Sequence, residues 1–86
     1  MFTILMKDVD GRRSYRYFKN WKKAERAMMQ DVEDCMSGQN VIGAWSIDRM
    51  NVAKGFYERE ETWLLKGGER FHWALIDGHF EDDLVK

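Results

Sequence analysis

The stretch Asn20–Gly38, NWKKAERAMMQDVEDCMSG, decides the fold because its apolar residues recur with helical spacing. Asn20 is a typical N-cap residue, since its side-chain oxygen can accept a hydrogen bond from an N–H of the first turn. Gly38 suits the left-handed position that follows a helix. The apolar stripe between these ends consists of Trp21, Ala24, Met28, Val32, Cys35 and Met36. The pattern predicts one helix over residues 21–36 with this stripe buried.

Five segments around the helix have the composition of strands, with β-branched and aromatic residues in alternation or in short runs. They are residues 2–7, 12–18, 41–50, 56–65 and 70–77. The order β-β-α-β-β-β predicts one α+β domain over residues 1–86, in which the helix packs on a mainly antiparallel five-stranded sheet. A loop follows the third strand at residues 51–55, and an acidic tail, about residues 78–86, is expected to be loosely held.

Cys35 is the only cysteine, so the chain can form no internal disulfide. A secreted domain of this size usually carries several disulfides, which makes a reducing, cytoplasmic setting the expectation. The N-terminal apolar run ends at Lys7, too soon for a signal-peptide core or a membrane span. With 34% charged and 44% hydrophobic residues, the composition predicts a folded soluble domain without membrane contact.

The sequence offers little for catalysis or for metal and cofactor binding. His72 and His79 are separated by six residues, which matches no zinc spacing. Cys35 lies on the predicted buried stripe and is interpreted as a small core residue. Gly67-Gly68 is a turn that lacks the lysine and hydroxyl residue of a phosphate loop. We therefore expect no catalytic residue, no metal ligand and no cofactor, and a role other than that of an enzyme.

Positive charge is concentrated in the first third of the chain. Residues 1–30 hold eight Lys or Arg and three Asp or Glu, whereas residues 31–86 hold six and twelve. The basic residues of one aromatic-rich segment make it a candidate nucleic-acid surface: Arg12, Arg13, Arg16, Lys19, Lys22, Lys23 and Arg26. The two oppositely charged halves can instead neutralise each other in the folded domain. Nucleic acid is therefore the alternative partner and not the leading expectation.

The register of the first hairpin decides where these basic side chains point. Asp10-Gly11 has the composition of a two-residue type I′ turn, which would pair Ile4 with Tyr17. Tyr15 and Tyr17 would then face the helix, and Arg16 would face away from it. A three-residue loop would place the charged Arg16 opposite Ile4 on the apolar face, so the two-residue loop is predicted. Basic and aromatic groups then lie on different surfaces, which disfavours nucleic-acid binding by stacking.

The sheet face without a helix is predicted to be an interaction surface. A two-residue loop at Gly67-Gly68 pairs Trp63 with His72 and places both on this face. The residues assigned to the surface are Trp63, Leu65, His72, Ile76, Leu5, Phe18, Arg59 and Arg70. Trp and Arg are enriched in interfaces, so we expect a protein partner or a second copy of the chain to bind there. The function expected from such a surface is that of a regulator or inhibitor, of the kind that mobile genetic elements encode. The alternative is that the face is covered within the domain, either because the sheet curls over or because Phe80 of the tail folds across it.

Overall fold

The structure, a computed structural model, describes residues 1–51 and 56–78 and confirms the predicted α+β fold. The strands are β1 (Phe2–Lys7), β2 (Arg13–Phe18), β3 (Val41–Asn51), β4 (Phe56–Leu65) and β5 (Arg70–Asp77), and the helix is α1 (Trp21–Met36). The strand order is β2-β1-β5-β4-β3, and every neighbouring pair is antiparallel. Most of the predicted loop at residues 51–55, and the tail beyond Gly78 with Phe80, lie outside the described residues.

The helix begins and ends where the sequence predicts. Asn20 is the N-cap, and its Oδ1 accepts a hydrogen bond from the Lys23 N–H at 3.2 Å. Gly38, just past the C-cap Ser37, has a φ of +77°, in the left-handed region that favours glycine. The stripe residues Ala24, Met28, Val32 and Met36 are buried, and Trp21 and Cys35 are partly buried. The predicted helix and its buried stripe are confirmed.

The core lies between α1 and the central strands β1 and β5. Met28 of the helix belongs to one buried cluster with Ile4, Trp73 and Leu75, none of which is more than 1% exposed. The Trp73 indole N–H donates to Asp31 Oδ2 at 2.8 Å, so the polar atom of this buried side chain has a partner. Because α1 packs on β1, β5 and β2, the side of the sheet that ends at β3 lies beyond the helix.

The first hairpin has a three-residue loop, so the predicted two-residue loop is wrong. The Asp8 N–H donates to the Arg12 carbonyl, and the Gly11 N–H donates to the Asp8 carbonyl, both at 3.0 Å. Gly11 has a φ of +79°, which makes the loop a turn closed by a left-handed glycine. The Asp8 carboxylate accepts hydrogen bonds from the Asp10 and Arg12 N–H groups, which stabilises the same conformation.

The second hairpin repeats this geometry, and its predicted two-residue loop is also wrong. The Leu65 N–H donates to the Glu69 carbonyl, and the Gly68 N–H donates to the Leu65 carbonyl, both at 2.9 Å. Gly68 has a φ of +90°. Each loop therefore has its left-handed glycine in the third position, the arrangement that suits three-residue hairpins.

The extra loop residue moves each strand by one position and exchanges its faces. Ile4 pairs with Arg16 instead of Tyr17. The prediction failed because β2 is an edge strand, where Arg16 remains exposed and its guanidinium carbon lies 5.4 Å from the centre of the Phe18 ring. A charge on the sheet face that carries α1, the helix face, is therefore tolerated. Tyr15 and Tyr17 lie on the opposite face, the open face, and their predicted packing against the helix is wrong.

Candidate protein-interaction surface

The open face holds only half of the residues that the sequence assigned to it. Strand pairing places Leu5, His72, Ile76 and Arg70 there. On the helix face lie Trp63, Leu65, Arg59 and Phe18. The assignment is wrong for these four because the third loop residue moves β2 and β4 by one position relative to their neighbours.

Trp63 is half-buried and packs against the core cluster. It forms one wall of an apolar groove of 430 Å³ beside the C-terminal half of α1, with Met29, Val32, Glu33, Met36 and Ser37. Its indole N–H is buried without a hydrogen-bond partner among the described residues. Trp63, which was predicted to lie on the open face, therefore packs beside the helix on the other side of the sheet.

Among the sheet residues whose burial the structure describes, the most exposed apolar side chains lie on the edge strand β3. Ile42 is 62% exposed, Trp45 53% and Ile47 42%. Pairing with Thr62 and Glu60 of β4 places Trp45 and Ile47 on the open face. No described residue pairs with the outer edge of β3, so its outward N–H and carbonyl groups have no strand partner within residues 1–51 and 56–78.

Gly43 and Trp45 shape the outer surface of β3. A Cβ atom on Gly43 would lie 2.8 Å from the Trp45 ring, so the absence of a side chain lets the indole lie flat against the strand. The register shifts between Val41 and Gly43, which makes Ile42 a bulged residue. From Gly43 onward β3 pairs with β4 without interruption and presents a regular edge.

An ion-pair network fixes β3 to β4 and to the helix on the helix face. The Ser46 hydroxyl donates to Glu61 at 2.6 Å, and Glu61 is only 3% exposed. Arg59 donates to Glu61 at 3.1 Å and to Glu25 of α1 at 3.2 Å. Burial lowers the pKa of Arg59, but the hydrogen bond to Glu61 and the charge of Asp48 outweigh burial, so this pKa lies above its ordinary value. Arg59 therefore holds the inner side of β3 in place as a permanent cation.

The basic residues of the nucleic-acid alternative are spread over several surfaces. Arg13 lies on the open face, Arg12 in the first loop, Arg16 on the helix face of β2, Lys19 before the N-cap, and Lys22, Lys23 and Arg26 on the exposed side of α1. The predicted orientation of Arg16 away from the helix is wrong, because Arg16 pairs with Ile4. The corrected register also brings Tyr15 and Tyr17 to the same face as Arg13, contrary to the predicted separation of basic and aromatic groups.

Sequence reasoning did not assign Trp45, Ile47 and Ile42 to any site. It predicted β3 as a strand, but it could not place that strand at an edge, because strand order depends on the long-range pairing of β1 with β5. A usable signal is the run Val41–Ile47, VIGAWSI, which contains neither the lysine nor the proline that commonly protects edge strands.

The chain matches no family model, no curated protein and no solved structure in the comparisons made with each. The described residues contain no cluster of three or more His, Cys, Asp or Glu side chains that could hold a metal ion. Within the same residues, no helix combines the length and the apolar composition required to cross a membrane. Function must therefore be inferred from the geometry of the chain itself.

Proposed function

We propose that this chain is a protein-interaction module whose binding element is the edge strand β3, and that its partner is a second copy of the chain. Binding occurs by antiparallel strand addition, in which main-chain hydrogen bonds supply affinity and alternate side chains supply specificity. The observation that carries the proposal is the exposure of Trp45 and Ile47 on a regular edge.

The edge of β3 lacks most of the features that keep strands from associating. Proteins commonly protect edge strands by shortness, by lysine or proline, or by bulges. β3 is eleven residues long, and its one register shift lies at Ile42, near its beginning. The stretch from Gly43 to Ile47 has no bulge and no charge. A long apolar edge of this kind favours pairing with another strand.

The sequence of β3 is complementary to itself about Ser46. Trp45 and Ile47 flank this residue and share the open face. A two-fold axis perpendicular to the sheet and midway between the two Ser46 residues would place each Trp45 opposite Ile47 of the second copy. Such aromatic and β-branched cross-strand pairs contribute about 0.2–1 kcal/mol each. The same surface patch would serve both copies, as two-fold symmetry requires.

The test is sedimentation velocity over a range of protein concentrations, with Ile47→Lys as the edge variant. The wild-type chain is expected to shift from monomer to dimer as its concentration rises. The lysine places a charge in the paired edge and should keep the chain monomeric. Because Ile47 is already 42% exposed, the variant should remain folded, with its melting temperature close to that of the wild type.

Val9→Lys is the matched control, since Val9 is a β-branched residue that is 45% exposed and lies in the first hairpin loop. It should dimerise as the wild type does. A wild-type chain that stays monomeric throughout, or a Val9→Lys variant that loses association as completely as Ile47→Lys, contradicts pairing through β3.

Nucleic acid is the second candidate partner, favoured by the presence of Tyr15, Tyr17 and Arg13 on one sheet face. Stacking aromatic rings beside cations are the recognition elements of single-strand binders. A mobility shift with single-stranded and double-stranded DNA and RNA tests this candidate. Affinity at physiological salt that falls steeply as salt is added would support it, and the absence of a shift would reject it.

A further inference from the structure

The two hairpin loops lie side by side and flank an open cavity at one end of the sheet. They meet because β1 and β5 are antiparallel neighbours, with Lys7 at the end of β1 directly opposite His72 near the start of β5. The cavity has a volume of 530 Å³, which is in the range of small-molecule sites. The side chains that line it include Lys7, Asp8, Thr62, Glu69, Arg70 and His72.

Basic side chains line this end of the open face in adjacent strand positions. Arg13 of β2 pairs with Lys7, and Lys7 pairs with His72. Arg70 lies two residues before His72 and therefore on the same face. Like charges placed directly opposite each other destabilise a sheet unless a counter-charge is present. No carboxylate of the described residues forms an ion pair with Lys7, Arg13 or Arg70.

The two carboxylates that line the cavity are directed toward the loops. Asp8 Oδ1 accepts the Asp10 N–H at 3.0 Å and the Arg12 N–H at 2.9 Å, so its charge is engaged by the backbone of the first loop. The Glu69 carboxylate lies against Gly67, where an added Cβ would be 2.5 Å from Oε1. Neither carboxylate forms an ion pair with Lys7 or Arg70.

The imidazole of His72 is held in a fixed orientation within this cavity. Its Nδ1 lies 3.0 Å from Thr62 Oγ1, a hydrogen bond that restrains the ring whichever atom donates. When the hydroxyl donates to Nδ1, the hydrogen of the neutral ring is on Nε2, which becomes a donor. The Lys7 side chain reaches the first loop, since a Cβ built on Gly11 would lie 3.9 Å from the Lys7 Cε. Donors of three kinds thus occupy one concave site.

We propose that the cavity between the hairpin loops binds a phosphate ester, with Lys7, Arg70 and His72 as donors to its oxygens. Phosphate oxygens take charge-assisted hydrogen bonds from guanidinium and ammonium groups, which are about twice as strong as neutral ones. Since the cavity is larger than a bare phosphate, the esterified group occupies the remaining volume. The phosphate comes from a free small molecule or from the backbone of a nucleic acid.

The test is an NMR titration at constant ionic strength with three probes: inorganic phosphate, adenosine monophosphate and a single-stranded oligonucleotide. The signals to follow are the His72 ring and the Gly11 and Gly68 amides. Lys7→Gln and Arg70→Gln each remove one cation from the cavity and should weaken binding about tenfold. Lys66→Gln is the matched control, because Lys66 is in the second loop but does not line the cavity. It should bind as the wild type does.

Saturable shifts with adenosine monophosphate at lower concentrations than inorganic phosphate requires, and weakened about tenfold in both cavity variants, support the proposal and identify a free ester as the source. Inorganic phosphate that binds as tightly as adenosine monophosphate contradicts a site for an ester. Shifts with the oligonucleotide alone, with the same weakening in both variants, identify a nucleic-acid backbone and also support it. The proposal is overturned if none of the three probes moves these signals, or if Lys66→Gln weakens binding as much as Lys7→Gln. These outcomes do not depend on whether β3 self-associates.

Discussion

The sheet ends in two edge strands that differ in length, in side chains and in their position relative to the helix. β2 has six residues, includes Arg13 and Arg16, and contacts α1. β3 has eleven residues, lies beyond the helix, and exposes Trp45 and Ile47. Charge and shortness are two of the means by which proteins prevent edge-to-edge association. β2 is short and charged, whereas β3 is long and its described side chains carry little charge.

This difference separates the part of the molecule that stabilises the monomer from the part available for binding. The helix packs on β1, β5 and β2, where the buried cluster forms around Trp73. Beside β3, the helix face carries the polar network of Glu61 and Arg59 of β4. On the open face, β3 itself carries exposed apolar groups. Substitutions on the two sides should therefore have different effects on stability and on association.

The largest effect on stability is expected under the helix. Met28→Ala removes a fully buried side chain from the cluster and should lower the free energy of unfolding by about 2–5 kcal/mol. Met29→Ala is the matched control, since the neighbouring methionine is 36% exposed and its truncation should change stability by only about 0.5 kcal/mol. Urea denaturation measures both. Equal losses would show that the assignment of the buried helix face is wrong.

An intermediate effect is expected at the second hairpin, whose loop sets the register of β4 against β5. Gly68→Ala places a side chain at a φ of +90° and should cost about 1–2 kcal/mol. Gly67→Ala is the control: the atoms nearest to its new Cβ belong to the flexible Glu69 carboxylate, so a smaller loss is expected. If thermal or urea unfolding shows the two variants to be equally stable, the three-residue loop geometry is incorrect.

The smallest effect concerns Cys35 near the end of the helix. Burial, followed by the charges of Asp31 and Asp34, raises the pKa of its thiol above the ordinary value. The neutral thiol is therefore favoured in the folded state. Its contribution to stability is complete below the pKa of the unfolded chain and is lost as the pH rises through the folded pKa.

Alkylation with iodoacetamide as a function of pH measures this shift, because the thiolate is the reactive form. The midpoint for the folded chain should lie above that of the chain unfolded in denaturant. Asp34→Asn should lower the folded midpoint in part, because burial is the larger cause, whereas Glu33→Gln should leave it unchanged. A folded midpoint at or below the unfolded one would reject the effect of burial.

Local signals were sufficient to predict the helix, its caps and the five strands. The N-cap side chain of Asn20 and the left-handed Gly38 depend on their immediate neighbours alone, so both ends of α1 follow from residue type. Strand periodicity is equally local. The α+β class follows because only one segment has helical spacing.

Hairpin register and strand order could not be predicted in the same way. Asp10-Gly11 suits a two-residue turn by composition, and it is the Asp8 carboxylate, bonded to two loop N–H groups, that stabilises the longer loop. Because the predicted register was wrong by one residue, Trp63 and Leu65 were assigned to the open face, whereas both lie on the helix face. The exposure of Trp45 depends on β3 being outermost, which is a property of the whole sheet.

The most direct test of binding through β3 is amide hydrogen exchange of the two edge strands, measured by NMR at low and high protein concentration. If β3 pairs with a second copy, those of its N–H groups that point away from β4 will exchange more slowly as the concentration rises. The outward N–H groups of β2 will exchange at the same rate throughout. Exchange in β3 that is independent of concentration, or an equal slowing in β2, would contradict the account.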